Sequence, residues 1–237
     1  MILKTASIVK GTEVTINEGV THPVRAVVRF ENSTHNAVIK TLPVEYIAAE
    51  CFAALLLDGW GVPVPQPLLI EGSQLRFGSL DDGYPNLKQK IGWSDGFDEH
   101  QKNSLYRLGA LILAELEETS IVICADEAIG NFDRNLGNIL WDGSNVAFID
   151  HERAFGLGRD QENNKLVTLL VNFSDKSKET QASSVARALA FNVQIVDSVE
   201  CGSLNIGELK NYVSARVNSL ATRVLKRFPQ PKDLFSQ

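Results

Sequence analysis

Apolar and polar positions alternate in short runs near the start of the chain. Within residues 13–40, EVTIN, VRAVVRF and NAVIK are separated by EGVTHP and ENSTH, both rich in turn-forming residues. This pattern predicts a three-strand antiparallel meander. After Pro43, VEYIAAECFAALLLDGWG is built from good helix formers and runs into Gly59 and Gly61, which predicts a helix over about 44–58. The three prolines of VPVPQPLLI impose extended backbone, and its LLI end is a further strand candidate. The first 80 residues therefore read β-β-β-α-β.

Beyond residue 100 the period changes. LYRLGALILAELEE, within residues 101–118, has apolar positions at helical spacing and is expected to lie in the core of a second lobe. Residues 126–135 read as a polar loop following it. ILWDGSNVAFID places two short apolar strands around Asp142-Gly143-Ser144-Asn145, a hairpin signal. Residues 181–192 and 206–228 are two further helices, the second basic toward its end and stopped by Pro229. No repeat of 20–50 residues and no low-complexity tract interrupts this order, which excludes solenoids and propellers.

Composition narrows the class of protein. With 237 residues, 44% hydrophobic and 22% charged, the chain is long enough to bury a sizeable core and has the balance of a folded globular protein. The longest apolar stretch, around residues 48–57, is bounded by Asp58 and contains Glu50, far short of the roughly 20 apolar residues of a membrane span. The start, MILKTASIVKG, lacks a long apolar core and a small-residue cleavage site, so a cytoplasmic location is expected. A net charge of −6 offers no broad basic field, and direct nucleic-acid binding is not expected. Cys51, Cys124 and Cys201, odd in number and far apart, suit buried thiols better than a disulfide framework or zinc ligands.

Candidate chemistry concentrates in Gly130-Asn131-Phe132-Asp133-Arg134-Asn135-Leu136-Gly137-Asn138 and the hairpin ending at Asp150. Phosphoryl transfer from ATP needs a carboxylate near the acceptor hydroxyl and oxygen ligands for Mg²⁺; in the kinase catalytic loop, an Asp five residues before an Asn serves both. Asp133 and Asn138 have that spacing, and the hairpin returns the chain so that Asp150 can add a second metal ligand. Taken singly, these residues have ordinary uses, since Asp and Asn cap helices and fill turns. Lys40 ends NAVIK, an apolar strand that resembles the kinase V-A-I-K strand, whose Lys contacts the α- and β-phosphates. On the predicted helix Glu50 shares a face with Tyr46, Ala53, Ala54 and Leu57, and a carboxylate in an apolar stripe is costly unless paired. Lys40 is its natural partner.

The run N-x-D-R-N-x-x-N from Asn131 to Asn138 resembles the N-x-D-R-[HN]-x-x-N catalytic loop of HipA-like kinases and, more distantly, of phosphatidylinositol kinases. GVTHPV, AVIK, and a helix Glu followed eleven residues later by GVPVP also resemble the small HipA-like kinase domain, and the likeness covers most of residues 15–156. The resemblance implies an α+β, bilobal protein-kinase-like fold: a small antiparallel β-sheet N-lobe with one helix (1–80), a hinge (81–100) and a mainly helical C-lobe (101–237), all one domain. It implies ATP and Mg²⁺ as cofactors, with Asp133 as catalytic base or hydroxyl-orienting group, Asn138 and Asp150 as metal ligands, and Lys40 with Glu50 at the phosphates.

The sequence departs from the wider kinase pattern at three places. No Gly-x-Gly-x-x-Gly precedes Lys40, Asp150 is followed by His151-Glu152 rather than Phe-Gly, and Asn135 stands where many relatives have His. In place of the Gly-rich loop, the turn GVTHP offers the backbone of Gly19 and Thr21 to phosphate. FGSLDDGYP is a candidate hinge against adenine and ribose. Arg134 is expected to orient Asp133 or nearby backbone, and His151 to make a local hydrogen bond. The resemblance points to a protein Ser/Thr hydroxyl as acceptor, with an antitoxin or regulatory protein as partner. A small-molecule or lipid kinase and a nucleotide-binding pseudokinase are the competing functions.

Overall fold

The alternation near the N-terminus becomes a sheet that closes on itself. The computed structural model describes residues 1–16, 22–158 and 163–229. Its first part contains β1 (Lys4–Ile8), β2 (Val14–Thr15), β3 (Val24–Phe30), β4 (Ser33–Lys40), α1 (Val44–Gly59), β5 (Pro67–Ile70) and β6 (Arg76–Leu80). Strand order is β1-β5-β6-β4-β3, β3 pairs back onto β1, and β2 hangs on β3. The result is a closed five-stranded barrel.

The expected meander exists as β2-β3-β4, all antiparallel. It is nevertheless only part of the sheet, because β1 and β6 were absent from the sequence reading and β1 runs parallel to β5. Closure explains the difference. The barrel interior is filled by Ala6, Ala26, Val28, Ala37, Ile39, Leu68 and Ile70, and its alanines let the strands approach. At Gly78 a Cβ would lie 2.9 Å from Ile70, closer than packed side chains allow. Glu31 (φ 49°) and Asn32 (φ 65°) form the two-residue β3–β4 turn, both left-handed as tight hairpins require.

Helix α1 begins and ends within a residue of its predicted limits, and residues Ile47–Leu57 are all buried. A helix apolar on every side must be covered on every side. It packs against β5 and β6 on one flank and against α4 (Glu118–Ile129) and α7 (Ile195–Ser198) on the other. The remaining helices are α2 (Leu87–Lys90), α3 (Glu99–Glu115), α5 (Lys165–Phe173), α6 (Ser177–Leu189), α8 (Gly207–Val217) and α9 (Leu220–Arg227). The hairpin appears as β7 (Ile139–Trp141) and β8 (Val146–Phe148). At its turn the Asn145 and Ser144 donors hold the Asp142 carboxyl down to about 2.

Two expectations about the helical part change. Residues 126–129 are the last turn of α4 rather than a loop, because the buried carboxylates of Asp126 and Glu127 are paired with arginines. The core position belongs to α4, while α3 buries only Gly109, Ala110 and Leu113 and lies at the edge. Among the smaller revisions, α5 was unread, and the helix expected over 206–228 breaks at Asn218-Ser219 into α8 and α9.

All three cysteines are free and buried, as expected. Burial pushes the Cys124 and Cys201 thiols up to about 12 and raises the Cys51 thiol well above its usual range. With so little thiolate, none should react with a thiol-exchanging disulfide reagent at pH 8 until denaturant is added. Three equivalents should then react at once; stoichiometric labelling of the native protein would contradict this packing.

Candidate active site

Three distant segments meet at one ammonium group. Lys40, the last residue of β4, donates from Nζ to Glu50 Oε1 at 2.6 Å and to Asp150 Oδ1 at 2.6 Å, with Glu152 Oε2 at 3.5 Å. Glu50 sits mid-helix in α1, and Asp150 follows β8. The second oxygen of Glu50 accepts the His151 N–H at 2.8 Å, so both oxygens of this fully buried carboxylate are satisfied. Burial alone would push the Lys40 ammonium toward neutrality, but the Glu50 and Asp150 carboxylates outweigh it and hold Lys40 protonated. Burial raises the Glu50 carboxyl, with Lys40 acting against the rise.

The loop after α4 is fixed by Arg134, which is fully buried. Its Nε and Nη2 bind Asp126 Oδ2 and Oδ1 at 2.9 and 2.7 Å, a bidentate pair. Its Nη1 donates to the Ile149 carbonyl at 2.7 Å and to the Asn138 carbonyl at 3.4 Å. One side chain thus ties α4, the Asp133 loop and the residue before Asp150. Burial, then the charges of Arg134 and Lys40, push the His151 imidazole well below its usual range. It stays neutral, and its Nδ1 accepts from Arg134 Nη2 at 3.2 Å. Arg134 therefore orients backbone and His151 bonds locally, as the sequence suggested.

Asn135 Oδ1 caps the short turn by accepting from Gly137 N, and its Nδ2 donates to the Asp133 carbonyl at 3.0 Å. Asn138 Nδ2 reaches the same carbonyl at 3.4 Å, while its backbone carbonyl accepts from Ile149 N at 3.1 Å. Asp150 has φ 70°, a left-handed conformation that Asp tolerates better than most residues and that turns the chain as it leaves β8.

Lys40, Glu50, Asp133, Asn138 and Asp150 all line one cleft of about 670 Å³. Beside Lys40 on the sheet the lining is apolar, with Val38, Phe77 and Val64, and Leu80, Asp81 and Tyr84 of the FGSLDDGYP stretch also line the cleft. Arg25 Nε and Asp81 Oδ2 pair there at 2.5 Å. Apolar side chains beside charged ones in one cleft suit an aromatic base carrying phosphates. Gly19 and Thr21 lie outside the described residues.

The donor set fits a hard divalent cation. Glu50, Asp150 and Glu152 each offer an oxygen within 4.8 Å of the others, and Asn138 lines the same cleft. Glu152 was missed by sequence reasoning, although its place two residues after Asp150 could have suggested it. Also missed were Lys165 and Arg153, whose side chains meet the Asp133 carboxylate, Arg153 Nη1 at 3.3 Å. They lie 32 and 20 residues downstream with no periodic signal between.

No protein-family model matches the chain, and no curated protein matches it. Among solved structures, a proinflammatory kinase of Helicobacter pylori, CtkA, is similar over 95% of this chain and 98% of its own, with TM-score 0.56 and 15% identity. HipA of Shewanella oneidensis MR-1, a toxin–antitoxin protein in complex with HipB and operator DNA, matches 92% of this chain and 65% of its own with TM-score 0.49 and 11% identity. The likeness is one of architecture: the chain shares the fold of the CtkA kinase.

Proposed function

We propose that this chain is an ATP-dependent kinase that transfers the γ-phosphate to a Ser or Thr hydroxyl of a protein. The observation that carries the reading is the junction of Lys40, Glu50 and Asp150 at 2.6 Å in a cleft shared with Asp133 and Asn138. A buried ammonium pinned between two carboxylates costs more than it returns for folding alone, which favours a working site over a structural one. On this reading one domain spans 1–237, with a lobe over 1–80, a hinge over 81–100 and a lobe over 101–237 around the cleft.

Lys40, oriented by Glu50, binds the α- and β-phosphates, and the apolar lining takes the base. Asn138 and Asp150 would hold Mg²⁺, with Glu152 close by, and a bound ion would supply positive charge against the phosphates. Asp133 orients the acceptor hydroxyl and takes its proton as the oxygen bonds to the γ-phosphorus and the bond to ADP breaks. The machinery supplies position and electrostatics rather than covalent chemistry. The resemblance of the loop to HipA-like kinases extends the proposal to a cytoplasmic setting and to an antitoxin or regulatory protein as partner.

The test compares wild type with Asp150→Asn. Removing the charged metal ligand should weaken ATP binding at least about tenfold in Mg²⁺ and little in EDTA. Mass spectrometry of a lysate treated with ATP should show new phosphoserine or phosphothreonine that Asp133→Ala fails to produce. Nucleotide-dependent stabilisation without any transfer would instead make the chain a binding module. Transfer to metabolites and not to proteins would move the acceptor to small molecules.

A further inference from the structure

A second cavity, of about 520 Å³, also has Asp133 in its lining. Asp133 and Arg153 line both this cavity and the cleft, so the two meet at the carboxylate assigned the acceptor proton. Tyr46, Phe132, Gly158 and Lys165 contribute further walls. An acceptor hydroxyl must approach Asp133 from somewhere, and the cleft side is taken by the nucleotide.

The charges in this cavity do not balance among the described residues. Lys165 and Arg153 both converge on the single carboxylate of Asp133, and their side chains remain about half exposed, at 53% and 55%. Among the described residues one positive charge is left over. A hydroxyl bound at Asp133 would compete with Lys165 and Arg153 for its two oxygens, and an anionic group on the incoming molecule would pair with the cation it displaces.

Both cations are carried on braced backbone. Lys165 opens α5; its N–H donates to the Phe132 carbonyl at 3.0 Å, which joins it to the residue before Asp133, and Asn164 caps the helix through Val167 N. Arg153 belongs to a turn closed by Ala154 N to His151 O at 3.0 Å, Phe155 N to Ile129 O at 2.7 Å and Gly158 N to Arg153 O at 2.9 Å. Two cations held by separate frames at one carboxylate form a prepared subsite, unlike lysines scattered over a surface.

We infer that this cavity is the acceptor subsite and that it selects acidic peptides: a Ser or Thr with a carboxylate side chain within one or two residues. The inference rests on the kinase reading above and adds the substrate class. Charge complementarity at the subsite acts mainly on acceptor binding, so the preference appears in KM more than in kcat.

The experiment uses the full chain with Mg-ATP and a peptide panel in which Ser or Thr is flanked by Asp/Glu, by neutral residues or by Lys/Arg. Wild type should favour the acidic set over the basic set by at least about tenfold in kcat/KM. The Arg153→Gln/Lys165→Gln double variant should flatten that ratio to about twofold or less, through KM, with ATP affinity measured alongside. Transfer without acidic preference, or a preference that survives the double substitution, overturns the subsite and leaves the kinase reading standing. If wild type transfers no phosphate, anisotropy of labelled peptides decides. Acidic peptide bound by wild type and lost by the double variant keeps the subsite while the kinase reading falls, and no binding removes both.

Discussion

Asp133→Asn should lower single-turnover phosphoryl transfer by about 10²–10⁴-fold, the range expected when a positioned proton acceptor is removed. The substitution keeps the shape of the side chain and its place between cleft and second cavity, but an amide cannot take the hydroxyl proton. Affinity for Mg-ATP should stay within about threefold, because on our reading Lys40, Asn138 and Asp150 bind the nucleotide and metal. Stability should barely change. The ion pairs of Asp133 with Lys165 and Arg153 are solvent-exposed at their cationic ends, and such pairs contribute about 0–1 kcal/mol. Rapid-quench transfer with saturating ATP, beside calorimetric nucleotide titration and thermal melting, separates these effects. Near-normal turnover would remove Asp133 from the centre of the mechanism.

The parts of the site that could be read from sequence are those written in short spacings. Asp133 and Asn138 are five residues apart in one loop, and the hairpin that returns Asp150 announces itself through Asp142-Gly143. Glu50 was legible because a carboxylate in an otherwise apolar helix demands a partner, and Lys40 is found at that position at 2.6 Å. The barrel was not legible. Its closure depends on β1 pairing in parallel with β5, residues 4–6 against 68–70, and KTASI carries too few apolar residues to mark itself as a strand. The same limit hid Lys165 and Arg153, since nothing local says which loop will fold back onto Asp133. Asp126 failed for another reason. Charged residues near a helix end resemble a loop until the arginine that buries them is seen, and Arg134 lies outside the helix itself.

That buried pair should carry the largest single contribution to stability near the site. Asp126 and Arg134 are both fully buried and share two hydrogen bonds. Burial pushes the Asp126 carboxyl upward, and the attraction of Arg134 opposes the push, so the two groups justify each other. Asp126→Leu strands a guanidinium in the core and should cost about 3–5 kcal/mol, the penalty of leaving a buried charge unpaired. Turnover should fall as well, since Arg134 also holds the Ile149 and Asn138 carbonyls and thereby the relative placement of Asp133 and Asp150. Adding Arg134→Met to Asp126→Leu removes the stranded charge, so the double variant should be more stable than the single. It should not regain wild-type stability, because the Ile149 carbonyl then loses its Arg134 donor, at about 1–3 kcal/mol, while the Asn138 carbonyl keeps the Ile149 N–H. Urea unfolding of the three proteins reads this order directly. A single variant losing less than about 1 kcal/mol, or a double variant less stable than the single, would mean that the loop carrying Asp133 is anchored by something other than this pair.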